Sequence, residues 1–368
     1  METTNRVKQI HTNFRQSIWL DFIDREIMRS GKLQQLIAED GIRGVTSNPA
    51  IFAQAIAASA DYDADIASLS DNYPDDEDLF YQLAIKDIRQ AADLFAPVYN
   101  EEISGADGYV SLEVSPFLAL DGESTSRQAM KLWLAVDRKN VMIKIPATQP
   151  CLPSITEAIS QGININVTLI FGLERYREVA LAYIEGLEQR LQAGLDVSRV
   201  ASVASFFLSR IDIQLDPVLD SKDLGEMKGE AAIALAKTAY QVYQELFNSA
   251  RWQKLAAAGA KPQRLLWAST GNKNPAYRDT RYIDELIGPD TVNTAPLNTI
   301  AAFRDHGKPA ASLQGEPDWA KGILAALSEA GIDLTAVAAE LETAGIAKFN
   351  EPYQQMLAAI AAKRIVIH

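Results

Sequence analysis

Eight short stretches with strand periodicity recur along this chain, and segments of helical spacing separate most of them. The stretches are residues 17–23, 44–48, 109–115, 141–147, 163–169, 199–208, 264–270 and 291–294. They carry β-branched or aromatic residues at alternate positions and end in turn-forming residues. Candidate helices cover 3–16, 30–40, 50–60, 75–95, 124–136, 154–160, 173–193 and 226–258, with Gly41 and Gly194 as stop signals. Parallel strands need a crossover between them, so strands alternating with helices predict a parallel sheet covered by helices. A closed (β/α)8 barrel is the expected fold, with an open doubly wound sheet as the alternative. No G-x-G-x-x-G follows the first strand and no G-x-x-x-x-G-K-[ST] occurs, which argues against the nucleotide-binding open sheets. Such a barrel takes roughly 250 residues, and this chain has 368. The surplus is an extra helix at the N-terminus and three more expected at 318–330, 333–345 and 351–364. No Gly/Ser/Pro-rich linker sets them apart. The chain is therefore read as one barrel domain over 1–368, with 316–368 a helical C-terminal extension packed on it.

Strands buried in a parallel sheet normally read as unbroken apolar runs. Here the runs are interrupted on one face, mostly near their C-terminal ends, by Asp21, Asn48, Glu113, Lys144, Asn166, Thr168, Ser205 and Ser269. Lys144 is the most costly of these. It sits in Val141-Met142-Ile143-Lys144-Ile145-Pro146, where Val141, Ile143 and Ile145 share one face and Met142 and Lys144 the other. An edge-strand lysine could snorkel to water. Alternatively, a desolvated lysine amine serves as a nucleophile. Each of the others has a plain structural reading too: Asp21 as a helix cap, Asn48 before Pro49 as a turn residue, Asn166 and Thr168 on a solvated sheet face. In a barrel, however, the C-terminal strand ends form one mouth, and all of these groups converge there.

A pocketed lysine can attack a ketone and form an iminium, an electron sink for cleavage of the neighbouring C–C bond. Two carboxylates then have separate work, one on the substrate hydroxyl and one on the water lost and regained at the imine. Amide and hydroxyl groups suit a polyol, and Arg210 at the end of the sixth strand suits a phosphate. The residues therefore point to a Schiff-base enzyme acting on a sugar phosphate.

Composition limits the other classes. The net charge of −13 gives nucleic-acid binding no support. The three histidines are far apart and show no ligand spacing, so a histidine-built zinc or iron site is not expected. The single cysteine, Cys151, excludes an intrachain disulfide and fits a reducing, cytoplasmic location. The polar start has no secretory h-region, and no apolar run approaches the length of a membrane span.

At these residues a resemblance becomes specific. The segments Trp19-Leu20-Asp21, Gly44 to Pro49, Val141 to Thr148, Asn164 to Phe171 and Trp267 to Gly271 resemble transaldolase. Together with Asp290-Thr291-Val292-Asn293-Thr294 they are most similar to the longer bacterial form, also found fused to glucose-6-phosphate isomerase. The resemblance implies transfer of a dihydroxyacetone unit from a ketose phosphate to an aldose phosphate, in the non-oxidative pentose phosphate pathway, without cofactor or metal. Sedoheptulose 7-phosphate or fructose 6-phosphate would donate; glyceraldehyde 3-phosphate or erythrose 4-phosphate would accept. It makes Lys144 the Schiff-base lysine and Asp21 the acid/base for the C4 hydroxyl, with Glu113 and Thr168 holding the water. It places Asn48, Asn166 and Ser205 on the dihydroxyacetone moiety and Arg210 on the phosphate. Ser269 and Phe207 join the substrate site. Where the shorter form has Arg, this chain has Gly271, and Lys273 is the nearest replacement. Cys151 stands where the family pattern has Gly, a position open to positive φ, and Gly172 where Ser is usual. The alternatives are a Schiff-base aldolase releasing free dihydroxyacetone, whose close relatives tend to have Gln for Glu113 and Tyr for Phe207, and a barrel that only binds sugar phosphates. Small-molecule sugar phosphates are the expected partners, not nucleic acid or membrane, and a homo-oligomer is compatible with the sequence.

Overall fold

Eight parallel strands close into a barrel in chain order. They are β1 (Gln16–Leu20), β2 (Gly44–Val45), β3 (Tyr109–Glu113), β4 (Val141–Pro146), β5 (Ile165–Ile170), β6 (Ser202–Phe207), β7 (Arg264–Ala268) and β8 (Thr291–Ala295). This is a computed structural model, and it describes residues 5–101 and 106–367. Closure runs through β8 and β1, paired from Gln16↔Thr291 to Leu20↔Ala295. The expectation of a closed (β/α)8 barrel rather than an open sheet is met. Residues 3 and 4 of the expected first helix lie outside the described residues.

Local chemistry sets the helix boundaries. Asn5 caps the helix Arg6–Phe14, its side chain accepting from Val7 N. Pro49 opens the helix Pro49–Ala58 in the first-turn position where its missing N–H costs nothing. Gly41, at φ 68°, stops the helical run 32–40, whose last turn widens into a π-helix. Cys151 has φ −92°, so the loop needs no positive φ there. Its buried sulfur instead donates to the Ala119 carbonyl at 3.4 Å.

Three expectations are corrected. The run 226–258 is not one helix: a 3₁₀ turn, Ala231–Phe247 and Ala250–Ala257 replace it, with Ser249 capping the last through Trp252 N. Arg210 does not end the sixth strand, which stops at Phe207; it lies in the first turn of a helix, Ser209–Ser221. The tail holds two helices, Pro317–Glu329 and Leu334–Ile367, the second running through Pro352 without breaking. Proline inside a helix costs roughly 3 kcal/mol. Tyr353, Met356 and Ile360 are all buried on the inner stripe of this helix, and each such side chain contributes roughly 1.5–3 kcal/mol. Tertiary burial therefore outweighs the proline.

This tail helix crosses the C-terminal mouth of the barrel and packs on Pro49–Ala58. Its far end is pinned by Lys363 to the Ser59 carbonyl at 2.9 Å and by Arg364 to the Pro74 carbonyl at 2.8 Å. Tyr353 Oη donates to Glu77 Oε1 at 2.7 Å. Gly345 allows the crossing: a Cβ there would meet Leu169 Cδ2 at 3.1 Å and the Phe171 ring at 3.5 Å. Among the described residues, no single helix is long and apolar enough to cross a membrane.

Candidate active site

Strand register places the central groups in one row. Glu113 of β3 pairs with Lys144 of β4, and Lys144 pairs with Asn166 of β5. All three are at most 9 % exposed. Lys144 Nζ donates to Glu113 Oε2 and to the Ser47 carbonyl, both at 3.1 Å. The snorkelling alternative fails on this point, since the lysine points inward from a central strand. Asn166 links onward, accepting from Ser205 Oγ at 2.7 Å and donating to Ser111 Oγ at 3.1 Å.

Above this row a cavity of about 450 Å³ opens at the C-terminal mouth. Of the groups named from sequence, Lys144, Asp21, Asn48, Thr168, Ser205, Phe207, Arg210, Ser269 and Lys273 line it. Glu113 and Asn166 do not; they are bonded to two residues that do, Glu113 to Lys144 and Asn166 to Ser205. Asp21 follows the last residue of β1 and accepts from Thr46 Oγ1 at 2.7 Å. It caps no helix, because Asp24 does that work for Arg25–Arg29 through Ile27 N. Asn48 does cap, its Oδ1 accepting from Ile51 N at 3.1 Å, and it lines the cavity as well.

Burial and neighbouring charges pull against each other at the two carboxyls. Burial pushes the Asp21 carboxyl up, against the opposing pull of Lys144, the Thr46 hydroxyl, Arg210 and Lys273. Burial also pushes Glu113 up; Lys144 opposes it and the Asp21 charge adds to it. Arg210 is pulled down by burial, while Asp21 and Glu113 hold it up. A raised carboxyl is a better proton acceptor than an ordinary one, which suits a group that takes a proton in one step and returns it in another.

Two polar atoms here are buried without a protein hydrogen-bond partner, Thr168 Oγ1 and Arg210 Nη1. Buried polar groups are nearly always satisfied, so orphans at a cavity mark where a ligand or water completes the site. The backbone is unusual at the same end. Leu169 has φ 63° where the β5–β6 register shifts, and Ser269 has φ 55° just after β7. Such residues cost on the order of 1–3 kcal/mol each and cluster at functional sites. Ser269 is held by Ser209, hydroxyl to hydroxyl at 2.8 Å, and by Ser209 N to its carbonyl at 3.1 Å.

Sequence reasoning expected a helical extension packed on the barrel but did not name its residues at the cavity. Phe349 and Lys348 of the tail helix line the cavity, with Thr46, Ser209 and Thr294. Lys144 Nζ lies 5.7 Å from the centre of the Phe349 ring, and the Arg210 guanidinium lies 5.7 Å from it and 5.3 Å from the Phe207 ring. Phe171 packs on Phe207 at 5.2 Å, completing an aromatic collar. A hydroxyl two residues before Asn48 was the one available signal for Thr46; nothing local marks Phe349. Among the described residues no three His, Cys, Asp or Glu side chains cluster as metal ligands.

The chain is similar to known proteins along most of its length. The family model described as Transaldolase/Fructose-6-phosphate aldolase matches residues 18–360. A protein from Saccharopolyspora erythraea named Transaldolase is 48% identical over 96% of this chain and 97% of its own. One of the same name from Trichodesmium erythraeum is 47% identical over 98% of each. A third, from Thiobacillus denitrificans, is 46% identical over 94% of this chain and 97% of its own.

Proposed function

Given that the chain belongs to the transaldolase/fructose-6-phosphate aldolase family, we propose that it carries out the transaldolase reaction on sugar phosphates with Lys144 as the covalent centre. The observation that carries this reading is the buried Lys144–Glu113 contact at 3.1 Å under a cavity that Asp21 also lines. The Lys144 amine adds to the C2 carbonyl of a ketose phosphate, with Glu113 taking up its proton. Glu113, with Thr168, then returns a proton to the carbinolamine hydroxyl as water leaves and the iminium forms. Asp21 removes the proton of the C4 hydroxyl; the C3–C4 bond breaks, its electron pair moves into the iminium, and an aldose phosphate departs. The three-carbon enamine stays on Lys144 until its carbon attacks the aldehyde of an acceptor. Asp21 then gives its proton to the new hydroxyl, and water releases the product ketose.

Arg210 supports the phosphate assignment: it is half-buried and one of its nitrogens has no protein partner. Asn48, Asn166 and Ser205 hold the dihydroxyacetone hydroxyls in this reading, Asn166 by fixing the Ser205 hydroxyl. Lys273 and Ser269 flank the phosphate end. The collar of Phe171, Phe207 and Phe349 favours transfer over release, because apolar rings limit water at the enamine carbon.

Acceptor dependence tests the reading. With fructose 6-phosphate alone, release of glyceraldehyde 3-phosphate should stop near one equivalent per site. Erythrose 4-phosphate should restart it and yield sedoheptulose 7-phosphate. Steady formation of free dihydroxyacetone without acceptor, as fast as transfer, would make the enzyme an aldolase instead.

A further inference from the structure

The two cations assigned above to the phosphate stand on different elements. Arg210 lies in the first turn of the helix Ser209–Ser221, and Lys273 stands on the loop after β7. Lys273 is exposed, so its own packing does not fix where that loop lies. What fixes the loop is on its far side. Asn272 closes it internally, its Nδ2 donating to the Asn274 and Tyr277 carbonyls at 2.8 Å each. Tyr277 then reaches the Arg210 helix, its hydroxyl donating to Asp216 Oδ2 at 2.6 Å. The other Asp216 oxygen accepts from Gly229 N at 2.9 Å. One turn closer to Arg210, Asp212 repeats the arrangement, accepting from Ala232 N at 2.9 Å and Tyr282 Oη at 2.7 Å. Two buried carboxylates, at i and i+4 on one helix, thus each bind one backbone N–H and one phenol. Hydrogen bonds to a carboxylate are stronger than those between neutral groups.

We propose that Tyr277 is a positioning residue for the phosphate end: through Asp216 it ties the Lys273 loop to the helix that carries Arg210, keeping the two cations at a fixed spacing. This rests on Arg210 and Lys273 binding the substrate phosphate. The ring itself is held independently of the hydroxyl. A Cβ on Gly229 would come within 2.8 Å of Tyr277 Cζ, and the Arg281 guanidinium lies 5.0 Å from the ring centre on its other partner surface. Burial, and then the Asp216 hydrogen bond, push the Tyr277 phenol above its ordinary range, so the hydroxyl remains the donor. Tyr277→Phe therefore removes one tie and leaves the packing.

The test is a double-mutant cycle of Tyr277→Phe and Lys273→Ala in the full chain, with fructose 6-phosphate and unphosphorylated fructose as donors. Tyr277→Phe alone should raise KM for fructose 6-phosphate about fivefold, the order of one hydrogen bond, with kcat and the KM for fructose unchanged. In the Lys273→Ala background it should add nothing. An equal rise with both donors, no rise at all, or an effect that adds in full to that of Lys273→Ala would overturn the proposal while leaving the phosphate site intact. If Lys273→Ala alone spares the KM for fructose 6-phosphate, the phosphate role of Lys273 falls first and the proposal with it; that outcome is visible without the Tyr277 variant.

Discussion

The two ends of the barrel each hold an aspartate, Asp107 fully buried and Asp21 partly so, and treat it in opposite ways. At the N-terminal end Asp107 accepts from Ser17 Oγ, Trp19 Nε1, Arg43 Nε and Arg264 Nη1 at 2.7 to 3.2 Å. Two guanidiniums and these donors overcome burial and hold its carboxyl down at about 2. At the C-terminal end Asp21 has one hydroxyl partner, Thr46, and burial wins, so its carboxyl is pushed up. One strand, β1, serves both: Ser17 and Trp19 face the first cluster and Asp21 follows its end. Full satisfaction makes a peg that stabilises, whereas partial satisfaction makes a group whose proton can move. The difference matches the division of labour in such barrels, stability below and chemistry above.

The same substitution at the two ends should therefore have opposite consequences. Asp107→Asn removes the buried carboxylate that both Arg43 and Arg264 contact and should destabilise by about 3–5 kcal/mol in denaturant melts, with kcat preserved. Because folding lowers the Asp107 carboxyl, its contribution is present in full above its unfolded value and lost as pH falls through about 2. The gap between wild type and variant should accordingly narrow below about pH 4. Equal destabilisation at all acid pH values would mean that the ion pairs are not its source.

Asp21→Asn should lower kcat about 10²- to 10³-fold, the usual worth of a positioned acid/base. It should also leave stability unchanged or raise it slightly. Folding raises the Asp21 carboxyl, so the folded state bears a cost that begins above the unfolded value and is complete above the raised one, and Asn removes it. A loss of stability like that at Asp107 would erase the contrast between the two ends. A smaller effect sharpens it within the mouth. Arg210→Ala should raise KM for fructose 6-phosphate roughly tenfold while barely changing that for fructose, since a charge-assisted contact is lost only with the phosphate present. Equal changes would remove Arg210 from the phosphate.

Much of this was legible in the sequence because side-chain alternation is a local property. Strands β3, β4 and β5 can be read from one-sided polar interruptions, and register then brings Glu113, Lys144 and Asn166 into a row. β2 covers only Gly44–Val45, shorter than the 44–48 stretch read from the sequence. The tail residues that reach the cavity were not legible. Phe349 and Lys348 belong to a helix whose route over the mouth is set by tertiary burial and by the small residue Gly345, and Pro352 signals a break that burial overrides. The Tyr277–Asp216 tie was equally hidden, because 61 residues separate its two ends.

The most direct measurement is chemical trapping at the mouth. Borohydride added with fructose 6-phosphate should inactivate the enzyme and leave the mass of a reduced three-carbon adduct on the peptide carrying Lys144. Lys144→Arg should fold, remain unlabelled and be inactive, because a guanidinium stays protonated and offers no amine. An adduct on Lys273 or Lys348, or a catalytically active Lys144→Arg, would contradict the account.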